Sequence, residues 1–356
     1  MEIRVTRTTT PKKRPPEAGL GFGKHFTDHM FRADYTQEQG WHDARVLPYG
    51  DLGLDPAAGV FHYGQAMFEG LKAFRGVDGK VRLFRPEMNA RRMATGAPRL
   101  CMEAPGEADM VKAYHALVRV DVDWVPRGPA TALYLRPTLV ATEAFLGVRP
   151  ATRFCFFIIA SPVGSYFAGS AGLQAVKIWV EPTEVRAPRG GLGATKAGAN
   201  YAASLHAAMA AKKAGFDQVL WLDGKDHEFV EEVGTMNFFA VLGQTVVTPP
   251  LSDSILPGVT RDSLLTLSRE LGYKVEERPL SVKELKSAHR AGNLKEAFGV
   301  GTAAVVSPVG ELAFGGEKLL INDGKPGSVA QNLYAELTAI QHAEKPDTHG
   351  WVQVVE

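Results

Sequence analysis

Hydrophobic positions change their spacing along this chain. Through the first half, short β-branched and aromatic blocks predict strands over GVFHY (59–63), LKAFRG (71–76), KVRLFR (80–85), TALYLRPTLVAT (131–142) and TRFCFFIIAS (152–161). Asp78-Gly79, between the second and third of these, is a hairpin signal, because glycine reaches positive φ without a steric penalty. Helical spacing appears twice, from Pro86 through NARRMA and over roughly Asp109–Val120, and proline suits a first helical turn.

From Ser161 to Gly193 the chain is punctuated by glycine and proline around one predicted strand, Gln174–Val180. Beyond it the order changes. An alanine-rich segment, Ala199–Ala214, predicts one helix stopped by Gly215. QVLWLD, a turn at Asp223-Gly224, FVEE and MNFFAVLG follow, then a helix over Thr260–Leu271 and strands near Ala297–Val306. The expected organisation is a disordered arm (1–20), a smaller α/β domain (21–168), a connection (169–185) and a larger domain (186–356).

A chain of 356 residues exceeds what one ordinary core holds, which agrees with two lobes. With 40 basic and 39 acidic residues, its net charge of +1 gives no field to gather nucleic acid or an anionic membrane. The most apolar runs, such as Phe154–Ala160 and Phe238–Leu242, fall well short of the roughly 20 residues that span a bilayer. Only Cys101 and Cys155 are present, so neither a disulfide framework nor a cysteine metal site is expected. These features together predict a cytoplasmic protein with a small-molecule partner.

Two apparent nucleotide motifs fail on inspection. GLGATKA (191–197) has Thr195 where a P-loop needs glycine and Ala197 where it needs a hydroxyl, and strand-like AVVSP follows GVGTAA (299–304) where a helix should begin. Three other features carry chemistry. Lys196 sits between a glycine-rich bend and a helix start, among Gly, Ala, Leu and Thr, surroundings that can desolvate an amine and expose its lone pair, whereas loop lysines as a class are usually solvated. Glu231 and Glu232 precede a turn glycine and an apolar strand; they suit a surface-exposed pair at a strand end or, if the strand is buried, one acid turned inward by alternation, where a carboxylate needs a cation or donor. In SILPGVTRDSLLTL (254–267), Pro-Gly leads into a helix whose first amides suit either a capping side chain or a phosphate.

These features, with motifs in a fixed order, resemble the branched-chain aminotransferases, a family of fold-type IV pyridoxal-phosphate enzymes. The resemblance covers almost the whole chain. It runs through FGKHFTDHM (22–30), HYGQAMFEGLKAFRG (62–76), NARRM (89–93), LYLRPTLVATE (133–143), SPVGSYF (161–167), KAGANY (196–201), QVLWLDG (218–224), EVGTMNFF (232–239), LPGVTR (256–261) and GVGTAAVVSPV (299–309). It implies an α+β, two-domain fold of the D-amino-acid-aminotransferase-like type with the active site at the domain interface. It also implies a homodimer and reversible ping-pong transamination of leucine, isoleucine and valine with 2-oxoglutarate.

Residue by residue, the resemblance implies a Schiff base between Lys196 and the cofactor, Tyr201 at the ring oxygen and Glu232 at the pyridine nitrogen, where a carboxylate keeps the ring protonated. Arg92 would hold the phosphate with Leu256, Gly258 and the amides of Val259 and Thr260. Thr235, Thr302 and Ala303 would meet ring and substrate carboxylate. Phe22, Tyr63, Phe68, Tyr134, Tyr166 and Val148 would line an apolar box, Val148 reaching in from a second subunit, and Arg136 would meet the γ-carboxylate of glutamate. No metal is implied. Some relatives carry a Cys-x-x-Cys pair where this chain has Ala304 and Ser307, which excludes thiol regulation of that kind. The competing readings are a D-amino-acid aminotransferase, an aminodeoxychorismate lyase, and a non-catalytic phosphate- or nucleotide-binding protein.

Overall fold

The computed structural model describes residues 1–164 and 173–356; Tyr166 lies outside the described residues. The chain divides into two compact units, Met1–Ala168 with Thr195–Ala199 and Ala339–Glu356, and Gly169–Ala194 with Asn200–Thr338.

The first unit is built on β1 (Arg4–Val5), β2 (His29–Thr36), β3 (Gly40–Pro48), β4 (Ala66–Phe68), β5 (Leu71–Arg75), β6 (Val81–Phe84), β7 (Ala132–Ala141) and β8 (Phe154–Val163), with α1 (Gly59–Tyr63), α2 (Pro86–Gly96) and α3 (Glu107–Val120). Its sheet runs β1-β3-β2-β8-β7-β5-β6 and ends on the C-terminal strand Val352–Val354; β4 pairs with β7. Period-two alternation sorts the two faces of the sheet. Phe31, Leu71, Leu133, Leu135, Leu139, Phe156 and Ile158 share a core with Met93 of α2 and Met110, Tyr114 and Leu117 of α3. The residues between them, such as Lys72, Tyr134, Arg136 and Ser161, occupy the opposite face.

The second unit contains β9 (Val176–Val180), β10 (Gln218–Leu222), β11 (Val230–Val233), β12 (Met236–Leu242), β13 (Thr245–Thr248), β14 (Lys274–Glu277), β15 (Leu294–Gly301), β16 (Val305–Phe314) and β17 (Glu317–Leu320). β11 pairs with both β10 and β12, so the path β11-β10-β9-β16-β15-β12 returns on itself as a closed ring of strands. β12 is buried along nearly its whole length, as its unbroken MNFFAVL run requires. The helices in this half of the chain are α4 (Gly198–Ala203), α5 (Leu205–Lys213), α6 (Val259–Glu270), α7 (Val282–Arg290) and α8 (Ser328–Gln341), and the C-terminal Val352–Val354 is β18.

Several expectations are corrected. GVFHY is one helical turn, not a strand, closed by Gly64 in the left-handed region at φ +60°. The alanine-rich helix is interrupted at Ser204, whose hydroxyl donates to the Tyr201 carbonyl at 2.8 Å and competes with the helical ladder. The N-terminal arm is not disordered: β1 adds in parallel to β3, and the terminal ammonium pairs with Asp109. Residues 176–180 lie inside the second sheet and not in a connection, and β18 joins the first sheet through β6.

α7 escaped the sequence reading although Ser281 and Glu284 have capping-box spacing. The Ser281 hydroxyl accepts from the Glu284 amide at 3.0 Å. Ser281→Ala is expected to cost about 1 kcal/mol, read as a lower urea midpoint with an unchanged slope; an unmoved midpoint would show that this cap contributes nothing.

Candidate active site

In the first unit, the polar face of the sheet gathers most of the expected substrate residues. Lys72 on β5 and Ser161 on β8 flank Tyr134 on β7 in register, and Phe68 on β4 lies opposite Thr138. The Arg136 guanidinium carbon stands 4.5 Å from the centre of the Phe68 ring, and Nη2 donates to the Tyr134 hydroxyl at 3.0 Å. Phe22 meets the Tyr134 ring edge-on at 4.8 Å between centroids. Gly70 permits this arrangement, because a Cβ there would sit 2.1 Å from the Tyr134 hydroxyl.

Lys196 belongs to the segment Thr195–Ala199 of this unit. Its carbonyl accepts from the Phe68 amide at 3.1 Å, and Ala197 makes a β-bridge to Met67. Its side chain is half-buried, with Nζ 4.9 Å from the centre of the Phe68 ring. Phe68 therefore receives two cations, Arg136 and Lys196, on one aromatic ring.

The next residue, Glu69, was not anticipated from the sequence. It is fully buried, and Arg92 grips it as a fork, Nε to Oε1 and Nη2 to Oε2 at 2.7 Å each, while Asn89 donates at 2.9 Å. Burial pushes this carboxyl up, but the charge and hydrogen bonds of Arg92, with Lys196 and Asn89, outweigh it and hold the group below the usual carboxylate range. A depressed folded value contributes stability that is present above the unfolded carboxylate range and is lost as pH falls through the folded value. Arg92, expected at a phosphate, is thus already bound to an acid. The sequence signal for this was an acidic residue inside the apolar run AMFEGL.

The second unit holds the other expected cofactor residues. Tyr201, Glu232 and Thr235 line one pocket together with Arg186, Asn200, Ser204 and Gly234. Gly234, at φ +57°, makes the tight turn between β11 and β12 that presents Glu232 and Thr235 there. Both acids of the EE pair are buried, so the expectation that only one points inward is corrected. Glu232 Oε2 lies 2.7 Å from Arg186 Nε, and Oε1 accepts from Asn237 Nδ2 at 3.1 Å and from the Leu256 amide at 2.9 Å. Glu231 hydrogen-bonds the Ser254 hydroxyl; burial pushes its carboxyl up, against the pull of Ser254, Arg186 and Arg189.

Gly258 is the N-cap of α6 and offers no side-chain acceptor to the amides of the first turn, which include Val259 and Thr260. A Cβ at Gly258 would meet Asn237 Oδ1 at 2.1 Å. An uncapped helix start approached by backbone alone is the donor set that suits a phosphate. Thr302 and Ala303 are half-buried in the turn joining β15 to β16, which ends at Val305 with φ +64°, a strained angle for a β-branched residue.

Two expected residues stand apart within their unit. Val148 is 89% exposed, and Tyr63 is exposed with its hydroxyl donated to the Leu146 carbonyl. Glu143 anchors that loop through Arg149, which with the Thr152 amide holds its carboxyl down to about 2.

Comparison with known proteins agrees with this geometry. The amino-transferase class IV family matches residues 66–312. The chain is 47% identical over 353 residues to branched-chain-amino-acid aminotransferase 2 of Bacillus subtilis (strain 168), covering 99% of this chain and 97% of that one. It is 46% identical to a branched-chain-amino-acid aminotransferase of Mycolicibacterium smegmatis, covering 99% and 98%. Among solved structures, the Escherichia coli branched-chain amino acid aminotransferase superposes with a TM-score of 0.78 at 25% identity, covering 92% and 99%. The T.th. branched-chain amino acid aminotransferase complexed with N-(5'-phosphopyridoxyl)-L-glutamate gives 0.75 at 25%, covering 91% and 98%.

Two outcomes follow from groups in these surfaces. Burial holds the Lys72 ammonium down at about 8, so the unfolded chain binds more protons than the folded one between about pH 8 and the usual lysine value near 10.4. The wild type should gain stability relative to Lys72→Met as pH rises across that window; parallel urea-midpoint curves for the two proteins would refute it. Val305→Gly relieves the left-handed strain, about 1–2 kcal/mol, while Val306→Gly relieves none. The first variant should therefore unfold at the higher denaturant concentration, and the reverse order would show that Val305 is not strained.

Proposed function

Because the chain belongs to the branched-chain amino acid aminotransferases, which are pyridoxal-phosphate-dependent transaminases, we propose that Lys196 is its catalytic residue. The reaction is reversible ping-pong transfer of the amino group of L-leucine, L-isoleucine or L-valine to 2-oxoglutarate. When bound, the cofactor supplies an electrophilic aldehyde and an electron-withdrawing ring. Everything else falls to the protein.

Lys196 would hold the cofactor through its aldehyde carbon, and its amine would take the proton from the substrate Cα as base and give it up again as acid. Tyr201 would donate its phenol to the ring oxygen, and Glu232 would hold the ring nitrogen. The amides of Val259 and Thr260, beside Leu256 and Gly258, take the phosphate with Arg92. Thr235, Thr302 and Ala303 meet the ring and the substrate α-carboxylate. Phe22, Tyr63, Phe68, Tyr134, Tyr166 and a second subunit's Val148 enclose an aliphatic side chain. Arg136, already bonded to the Tyr134 hydroxyl, answers the γ-carboxylate of glutamate.

The observation that carries the reading is the shared pocket of Tyr201, Glu232 and Thr235, three residues assigned to one ring from sequence motifs alone. The fit of the cofactor is supported by the donor chemistry at both of its ends, a buried carboxylate at Glu232 and a helix start without a side-chain cap at α6. A homodimer is supported by the exposed apolar side chains of Phe61, Phe145, Leu146 and Val148. We place the enzyme in the cytoplasm. Its two cysteines are not paired with each other, and no helix among the described residues is long and apolar enough to cross a membrane.

Lys196→Ala should lose transamination of L-leucine with 2-oxoglutarate while still retaining cofactor non-covalently. Borohydride reduction of the wild type followed by digestion should put the pyridoxyl group on the peptide containing Lys196. Near-wild-type turnover in the variant, or a label on another lysine, would sink the assignment. Preference for D-alanine over L-leucine in a substrate panel would replace the substrate class but keep the lysine.

A further inference from the structure

Arg186 has no part in the roles assigned above, yet it is buried at the pocket wall with its polar contacts directed at the site. Its Nε lies 2.7 Å from Glu232 Oε2, and the two side chains are 6% and 4% exposed. Its Nη2 donates to the Gly193 carbonyl at 2.9 Å and also to the Ser254 carbonyl. One guanidinium therefore joins the carboxylate on β11 to the glycine-rich bend that leads into residues 195–199, and to the loop that carries Ser254, hydroxyl partner of Glu231. A planar fork with fixed donors can hold such a three-way junction; an ammonium on a flexible stem cannot.

We propose that Arg186 is a positioning residue that sets the strength with which Glu232 holds the proton on the cofactor's ring nitrogen and fixes the bend before Lys196. The inference rests on Glu232 standing at that nitrogen. A cation at 2.7 Å draws on the same carboxylate charge that the protonated ring nitrogen draws on, so the ring proton is held less tightly than an unshared carboxylate would hold it. The pair also sets a cation beside a buried carboxylate whose other partners, Asn237 and the Leu256 amide, are uncharged donors. The same guanidinium keeps the Gly193 carbonyl in place, so charge tuning and the shape of this bend pass through one side chain.

The test uses holoenzyme of the wild type, Arg186→Met, Arg186→Lys and Glu232→Gln. The readouts are the pH midpoint of ring-nitrogen protonation, followed by the nitrogen NMR shift and the spectra of cofactor isotopically labelled at that atom, and the cofactor retained after dialysis. Arg186→Met should move the midpoint upward by about one unit, because a fixed positive charge is gone. Arg186→Lys should restore the midpoint, since the charge is back, but not full retention, since the fork to Gly193 is not. An unmoved or lowered midpoint in Arg186→Met overturns the proposal, as does a lysine variant that behaves like methionine. Glu232→Gln separates the two levels. If it leaves the midpoint untouched, the placement of Glu232 fails, whereas a shift there with none in Arg186→Met refutes only the role of Arg186. A merely structural role for Arg186 would lower thermal stability in both Arg186 variants equally and leave the spectra alone.

Discussion

A carboxylate removed from water must meet charge or donors in place, and each unit of this protein is arranged about one such acid. Burying an ion unaided costs several kcal/mol, and losing one partner of a buried pair typically costs about 3–5 kcal/mol. Around Glu69 that demand recruits Asn89 and Arg92 from α2, one turn apart on the same helix face. Around Glu232 it recruits Asn237 from the neighbouring strand, the amide of Leu256 and the guanidinium of Arg186. Hydrophobic packing builds the two cores; these polar requirements decide which helix face and which strand register the site residues adopt.

Alternation in the first sheet explains how a core and a reactive surface arise from the same strands. LYLRPTL buries Leu133, Leu135 and Leu139 and turns Tyr134, Arg136 and Thr138 the other way. A one-residue slip of β7 would exchange the two sets, and the paired strands β5 and β8 forbid it along ten consecutive residue pairs with β8.

Legibility in the sequence followed the distance over which each feature is specified. Strands such as β7, β8 and β12 were readable because composition and period agree within the segment. α1 was not, since aromatic and β-branched residues prefer strands and only the surrounding chain makes that turn helical. The arm misled for the same reason: RV pairs with residues some forty positions away at Arg45 and Val46. Among the expected site residues, Lys196, Tyr201 and Glu232 stood out through motifs and the helix start through Pro-Gly. Glu69 and Arg186 did not. What marks each is a partner in another element, Arg92 for the one and Glu232 for the other.

Gly258 joins two halves of the chemistry that look independent in the sequence. Its missing side chain leaves room for Asn237, which steadies Glu232, and at the same position opens the start of α6. Glu232 and the start of α6 are thereby mechanically linked through an empty volume no larger than a methyl group. Drift or engineering at this locus cannot reshape the helix start without also disturbing the acid, so both must change together or neither can.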